Sequence, residues 1–267
     1  MSFLEIKNVW KSYGDAQILE RLNLTVKQGE FVSMVGASGC GKSTFLNMLL
    51  GKEKQTKGEI LLEGKPLVQE PDEERGIVFQ RYSVFPHLTV LQNVMIADEF
   101  SNAKLLGFVF GKKKAEIKAK ATEFIDAVGL TPALNKYPHE LSGGMQQRLA
   151  IAQALMKKPK ILLLDEPFGA LDPGIRADMH VLIRDIWQKN NLTIFMVTHD
   201  IKEGFELGSR VWVFDKLRHD PQAPNAYGAQ VTYDLDISSE TNKSDSKMKI
   251  DELSTPSSNP IMQEEKA

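Results

Sequence analysis

The 267-residue sequence contains a single cysteine, Cys40. One thiol can close no intrachain disulfide and cannot by itself build a zinc site, which excludes a disulfide-stapled scaffold and fits a reducing cytosol. An excess of either charge is also missing: 33 Lys and Arg stand against 35 Asp and Glu, for a net charge of −2. No overall basic field is available to nucleic acid, so no nucleic-acid partner is expected. Long apolar runs are absent, and the longest, residues 105–110, falls far short of the roughly 20 residues a bilayer demands. Residues 1–10 lack the basic-then-apolar layout of a signal peptide. The chain is therefore expected to be soluble, or to sit on a membrane only through a partner. No internal repeat is found. Residues 238–267 lack an apolar period and are rich in Ser, Lys, Asp, Glu, Asn and Pro, which predicts a disordered tail.

What is present centres on residues 36–44, which read Gly-Ala-Ser-Gly-Cys-Gly-Lys-Ser-Thr. Gly36, Gly41, Lys42 and Ser43 fill the fixed positions of G-x-x-x-x-G-K-[ST]. An apolar, β-branched stretch at 30–35 predicts a buried strand before it, and residues 44–50 have helical spacing that stops at Gly51. Strand, loop and helix together are the setting in which such glycines cradle phosphate. The backbone N–H groups point inward and the new helix aims its positive end at the same anion. The loop residues Gly36, Ser38, Gly39, Cys40, Gly41, Lys42, Ser43 and Thr44 are thus expected to hold a nucleoside triphosphate, with Cys40 simply a small residue that fits. Lys42 would reach the β- and γ-phosphates and the Ser43 hydroxyl would hold Mg²⁺.

Around that stretch, residues 3–9 and 18–26 read as strands, 57–66 as a strand pair and 75–79 as a short buried strand. Residues 84–130 turn helical: Val90, Val94 and Ala97 share a face, and 115–128 is amphipathic and closed by Gly129. Residues 98–114 carry the apolar run and three lysines, leaving two readings: a patch packed inside the helical region, or a surface for a hydrophobic partner. Strand and helix then alternate, with helices at 142–156, 173–189 and 200–207 and strands at 160–165, 191–198 and 210–214. Such alternation predicts an α/β fold, its largely parallel sheet covered on both faces.

The strand ending at Asp165-Glu166 has four apolar residues before its two carboxylates. It is expected to deliver them to the C-terminal edge of the sheet, where ligands bind in such folds. Asp165 suits the Mg²⁺ shell, and Glu166 can hold or deprotonate an attacking water at the terminal phosphate. Further upstream, Leu141-Ser142-Gly143-Gly144-Met145-Gln146-Gln147 offers a second helix start. Ser142 can cap it, and Gly143 and Gly144 leave its end bare for another phosphate contact.

On these motifs residues 3–215 resemble the ATPase subunits of ATP-binding-cassette (ABC) transporters, the stretch 141–147 looking like that family's signature. The resemblance implies a phosphate-loop NTPase core with a mostly parallel sheet, an N-terminal antiparallel β subdomain and an inserted helical subdomain at about 84–158, all within an ATPase domain at 1–237. It implies ATP and Mg²⁺ as ligands and a head-to-tail dimer, with the phosphate loop of one copy and the signature of the second sandwiching each ATP. Carried over residue by residue, Tyr13 stacks on adenine (Trp10 is a second choice), Gln80 touches Mg²⁺ and links to the membrane partner, Asp172 belongs to the D-loop, and His199 contacts the γ-phosphate.

Tyr137-Pro138-His139-Glu140 and Phe168-Gly169-Ala170-Leu171-Asp172 look most like importers of nitrate, sulfonates and taurine, and residues 214–228 look similar to cassettes associated with urea or guanidine metabolism. The resemblance implies solute uptake through a separate integral membrane permease and, indirectly, a solute-binding protein. The subunit is then peripheral, on the cytoplasmic face of the plasma (inner) membrane. Residues 80–86 are the expected coupling contact. Two alternatives stay open: the ATPase of an exporter or lipid-extraction complex, and a non-transport ABC ATPase.

Overall fold

A computed structural model describes residues 2–80, 83–102, 111–218, 220–223 and 225–239, with the backbone alone at 100–102. The apolar run 105–110 and the tail from residue 240 onward, both subjects of expectations above, lie outside the described residues.

Among the described residues ten strands make two sheets. In the first, β1 (Leu4–Tyr13) pairs antiparallel with β2 (Ala16–Val26) and with β4 (Lys57–Leu62), which pairs with the two-residue β5 (Lys65–Pro66). This is the expected N-terminal antiparallel layer. Strand β1 runs past the predicted end at Val9 because its register shifts between Ile6 and Val9, where Asn8 takes a left-handed φ of 47°. A bulge breaks the strict in–out alternation that sequence periodicity relies on.

The second sheet has the order β10-β9-β3-β8-β7-β6. Its members are β3 (Phe31–Gly36), β6 (Arg75–Val78), β7 (Ile161–Asp165), β8 (Thr193–Val197), β9 (Arg210–Asp215) and β10 (Gln230–Asp236). All pairings are parallel except β9 with β10. The predicted parallel core is therefore observed, and its continuous apolar runs reflect burial on both faces. Strand β10 was not predicted. It lies at the sheet edge and buries only Leu235 fully, so it carries too little apolar signal to announce itself.

Helix α1 (Lys42–Leu50) fills the space between the two sheets, burying Phe45, Leu46, Met48, Leu49 and Leu50. Phe45 meets Trp212 and Phe214 with ring centroids 6.1 and 5.8 Å apart. On the opposite face of the parallel sheet, α2 (Val90–Asn102), α3 (Gly111–Ala127) and α4 (Gly143–Leu155) pack on one another, and α5 (Pro173–Asn190) joins them in a second core. The short α6 (Ile201–Leu207) lies against β3 and β9.

The segment after β9 is stitched back onto β2. Gln17 and Glu20 donate backbone N–H groups to Asn225 and Ala229, and Ala229 donates to Ile18. Beneath these bonds the buried Glu20 carboxylate accepts from Arg218 at 2.5 Å and from Gln230 at 2.6 Å. Burial pushes the Glu20 carboxyl up, but Arg218, Gln230 and the Gly228 N–H outweigh it and hold the group below its ordinary 4.5. A carboxylate depressed on folding adds stability that is complete above its ordinary value and lost as pH falls through the folded one. Glu20→Gln should therefore melt below the wild type at pH 7, and the gap should close below pH 4.5, as read by thermal unfolding at both pH values. A gap that persists in acid would assign the loss to packing.

Candidate active site

The register of the parallel sheet decides which loops meet. Asp165 pairs with Val197, Met34 with Val197, Gly36 with Phe214, and Val78 with Leu164. One or two residues beyond these pairs lie the phosphate loop, Gln80, Glu166 and His199. Four separate sequence motifs thus leave the sheet at one carboxyl edge, which is where an open α/β sheet binds ligands.

The phosphate loop is tightly seated. A β-carbon at Gly36, whose φ is 144°, would lie 2.2 Å from the Phe214 carbonyl oxygen, so only glycine permits this approach to β9. Lys42 is 6% exposed, and its ammonium donates to the carbonyls of Gly36 at 2.7 Å and Ala37 at 2.8 Å. Cys40 is buried beside it, Sγ 3.6 Å from the ammonium, and burial raises its thiol pKa against the pull of Lys42. A pocket of about 230 Å³ opens over the loop, lined by Ser38, Gly39, Lys42, Ser43, Thr44 and Glu166 together with Gly41 and Ile18. Ile18 was absent from the sequence reading. It belongs to β2, 18 positions before the loop begins, and only the folding of the antiparallel sheet over α1 brings it there.

Two of the three residues expected to hold a metal, Ser43, Gln80 and Asp165, touch: Ser43 Oγ donates to Asp165 Oδ1 at 3.1 Å. Burial raises the Asp165 carboxyl, Glu166 adds to the effect, and Ser43 and Lys42 oppose it. A divalent cation beside Asp165 would favour its ionised form. One hydroxyl and one carboxylate are hard oxygen donors of the kind Mg²⁺ takes when phosphates and water complete its shell. Among the described residues no cluster of three or more His, Cys, Asp and Glu forms a metal cage.

Glu166 sits at a left-handed φ of 46°, rare for a residue with a β-carbon, and its N–H donates to Val197 O at 3.0 Å. Strain of this kind concentrates where geometry matters to function. The turn aims its carboxylate at His199, with Oε2 3.6 Å from Nδ1. Gln80 joins them: a β-carbon built on Gly169 would lie 3.7 Å from His199 Cε1, 3.8 Å from Gln80 Nε2 and 3.8 Å from Glu166 O. Gly169 is thus the floor on which the His199 and Gln80 side chains meet the backbone of Glu166.

Tyr13 lies beside this site. Its hydroxyl donates to the Glu53 carboxylate, and the Lys11 ammonium sits 4.5 Å from the ring centroid. Shielding and the Glu53 bond push the phenol up to about 12, with the Thr44 side chain of α1 pulling the other way. The ring is 47% exposed and, although near Thr44, does not itself line the pocket. Trp10, the second choice, donates to Asn8 and lies between Arg21 and Lys57, none of which lines the pocket.

Ser142, Gly143, Gly144 and Asp172 are not brought to this pocket. Ser142 caps α4 by accepting from Met145 N–H at 3.3 Å and is exposed with Gly143. Gly144 is buried, and a β-carbon there would lie 2.5 Å from Ile175 Cγ2. Its bareness therefore serves the packing of α4 against α5, leaving Ser142 and Gly143 as the open part of the helix end. Asp172 is the exposed N-cap residue of α5 and makes no capping hydrogen bond with its side chain.

A family model described as ABC transporter matches residues 19–169. A bicarbonate transport ATP-binding protein of Synechocystis is 42% identical over 214 residues, covering 79% of this chain and 73% of that protein. An aliphatic sulfonates import ATP-binding protein of Bacillus anthracis is 40% identical over 205 residues, covering 77% and 76%. Among solved structures, a dimeric post-hydrolysis ATP-binding cassette bound to ADP and Pi superimposes with a TM-score of 0.69 at 31% identity, covering 88% of this chain and 98% of that one.

Proposed function

The chain belongs to the ABC transporter family, and on that premise we propose that it is the ATP-hydrolysing, nucleotide-binding subunit of an importer that moves a small solute through a separate permease. The observation that carries the reading is the convergence of Lys42, Ser43, Asp165, Glu166, Gln80 and His199 at one sheet edge, with Ser43 and Asp165 3.1 Å apart and Glu166 and His199 3.6 Å apart. Ser43, Gln80 and Asp165 would hold Mg²⁺, which when bound neutralises phosphate charge and fixes the triphosphate. Lys42 supplies a desolvated ammonium to the phosphates, and electrostatic stabilisation of this kind is the main resource in phosphoryl transfer. Glu166 orients the attacking water and accepts its proton. His199, beside it, holds the terminal phosphate in line.

The exposed Ser142–Gly143 end of α4 and the exposed Asp172 lie apart from the pocket. A second copy, packed head to tail, supplies them to each bound ATP; the dimeric cassette structure supports this arrangement. Residues 1–237 form the ATPase domain, with 84–158 as its helical subdomain. No described helix is long and apolar enough to cross a membrane. As an importer ATPase, the subunit is held at the cytoplasmic face of the inner membrane by its permease. An apolar groove of about 340 Å³ supports that contact; it lies beside Gln80, lined by Val78, Phe79, Phe85, Ile96, Ala150 and Ala154. Residues 81–82 of the expected coupling stretch lie outside the described residues. Relatives of similar identity are named for bicarbonate, aliphatic sulfonates and nitrate and also for putrescine, which supports import of a small solute and leaves its charge to be measured.

The test is a pull-down of the tagged subunit from detergent-solubilised membranes, read by mass spectrometry. Recovery of a permease with a solute-binding protein is the expected result, and that binding protein can then be screened against oxyanions, urea and guanidine. A permease bearing large extracytoplasmic domains would replace import by export. Recovery with ribosomes or DNA and no membrane subunit would end the transport reading.

A further inference from the structure

Behind His199 lies a buried polar chain that the catalytic motifs do not use. Thr198, 2% exposed, donates its hydroxyl to Glu203 Oε2 at 2.5 Å and accepts from the Asp200 N–H at 3.1 Å. Glu203, 6% exposed, is the third residue of α6, where its own N–H donates to Asp200 Oδ1 at 3.2 Å. Three groups thus close a ring around the backbone of residue 199. The other oxygen of Glu203 lies 3.0 Å from His180 Nε2, and His180 is 6% exposed on α5, the helix that Asp172 begins.

His180 is also gripped from the acid loop. Its ring meets Phe168, two residues beyond Glu166, with centroids 5.1 Å apart, and its Nδ1 lies 3.5 Å from Glu206 Oε2. A carboxylate can only accept, so Glu203 takes one hydrogen from Thr198 and one from His180 Nε2, one on each oxygen. Burying such groups is costly unless every partner is present, so a satisfied chain of this kind holds one geometry against alternatives.

We propose that His180 and Glu203 are positioning residues for hydrolysis: the chain His180–Glu203–Thr198 fixes the turn that presents His199 and ties it to α5 and the acid loop. The proposal rests on the reading of His199 as a phosphate contact.

The experiment is a double-mutant cycle on the full chain, measuring Mg-ATP hydrolysis and thermal stability for wild type, H180L, H199A and the double variant. Misplacing a reacting geometry by about 1 Å can cost about 100-fold, so H180L should lower kcat by about 10- to 100-fold while KM moves less than about twofold. H180Q, which keeps a donor near the Nε2 position, should recover most of that loss. In the H199A background, H180L should cost less than about twofold, because residues acting through one another are non-additive. E203Q, which retains volume but exchanges one acceptor oxygen for a donor, should reproduce the kcat loss if H180L does not fold. Full additivity of H180L with H199A, or an H180L effect on melting temperature alone, would overturn the relay while leaving His199 in place. Normal turnover by H199A would sink the relay and the reading of His199 together.

Discussion

Glu166→Gln should bind ATP with near wild-type affinity, hydrolyse it about 10²- to 10⁴-fold more slowly, and accumulate as an ATP-bound dimer. Glutamine retains the size of the side chain and its reach toward His199, 3.6 Å away in the wild type. What it loses is the ability to take a proton from water. Binding is spared because the phosphates are held by the loop and Lys42, which the substitution leaves intact. The left-handed backbone at residue 166 is set by its N–H bond to Val197, which the substitution does not touch. Size-exclusion chromatography with ATP should show the dimer, and removing the triphosphate should return the monomer. Turnover within a few-fold of wild type would remove Glu166 from the role of base.

Lys42→Ala should abolish hydrolysis and weaken ATP binding itself, which separates it from the Glu166 variant. A hydrogen bond to a charged partner is worth about 1.5–3 kcal/mol, so affinity should fall roughly 10- to 150-fold, and loss of a charge stabiliser should cost about 10²–10³ more in turnover. The ammonium is nearly enclosed, and its wild-type bonds to Gly36 and Ala37 also brace the loop. Lys42→Arg provides the control: it keeps the charge but cannot fit a forked guanidinium into the same enclosure. Titration with a fluorescent ATP analogue, alongside a phosphate-release assay, reads both quantities. Unaltered ATP affinity in Lys42→Ala would overturn the cradle.

Much of the site was legible because its chemistry is compressed into short stretches. Gly36, Gly41, Lys42 and Ser43 lie within eight positions, and a strand-to-helix setting around them is itself visible in periodicity. Asp165 and Glu166 follow an unbroken apolar run, so their place at a sheet edge could be inferred. Strand β10 was not legible, because an edge strand buries little and its register is dictated by β9. Ile18, His180 and Glu203 were missed for a different reason. Each is an ordinary residue on an ordinary strand or helix, and its partner lies more than 20 positions away in sequence. The two signature glycines looked alike in sequence, yet one is open and the other is pressed under Ile175. That distinction depends on how two helices cross.

By itself, the order of residues determined the family, the phosphate loop and the list of groups able to handle a triphosphate, since local backbone preference and side-chain chemistry are properties of short segments. The tertiary structure decided which of those groups meet. Parallel register placed Gln80, Glu166 and His199 around Gly169, the antiparallel sheet laid Ile18 over the loop, and α5 brought His180 to Glu203. These are long-range contacts fixed by burial of two apolar cores on either side of one sheet, and no local pattern encodes them.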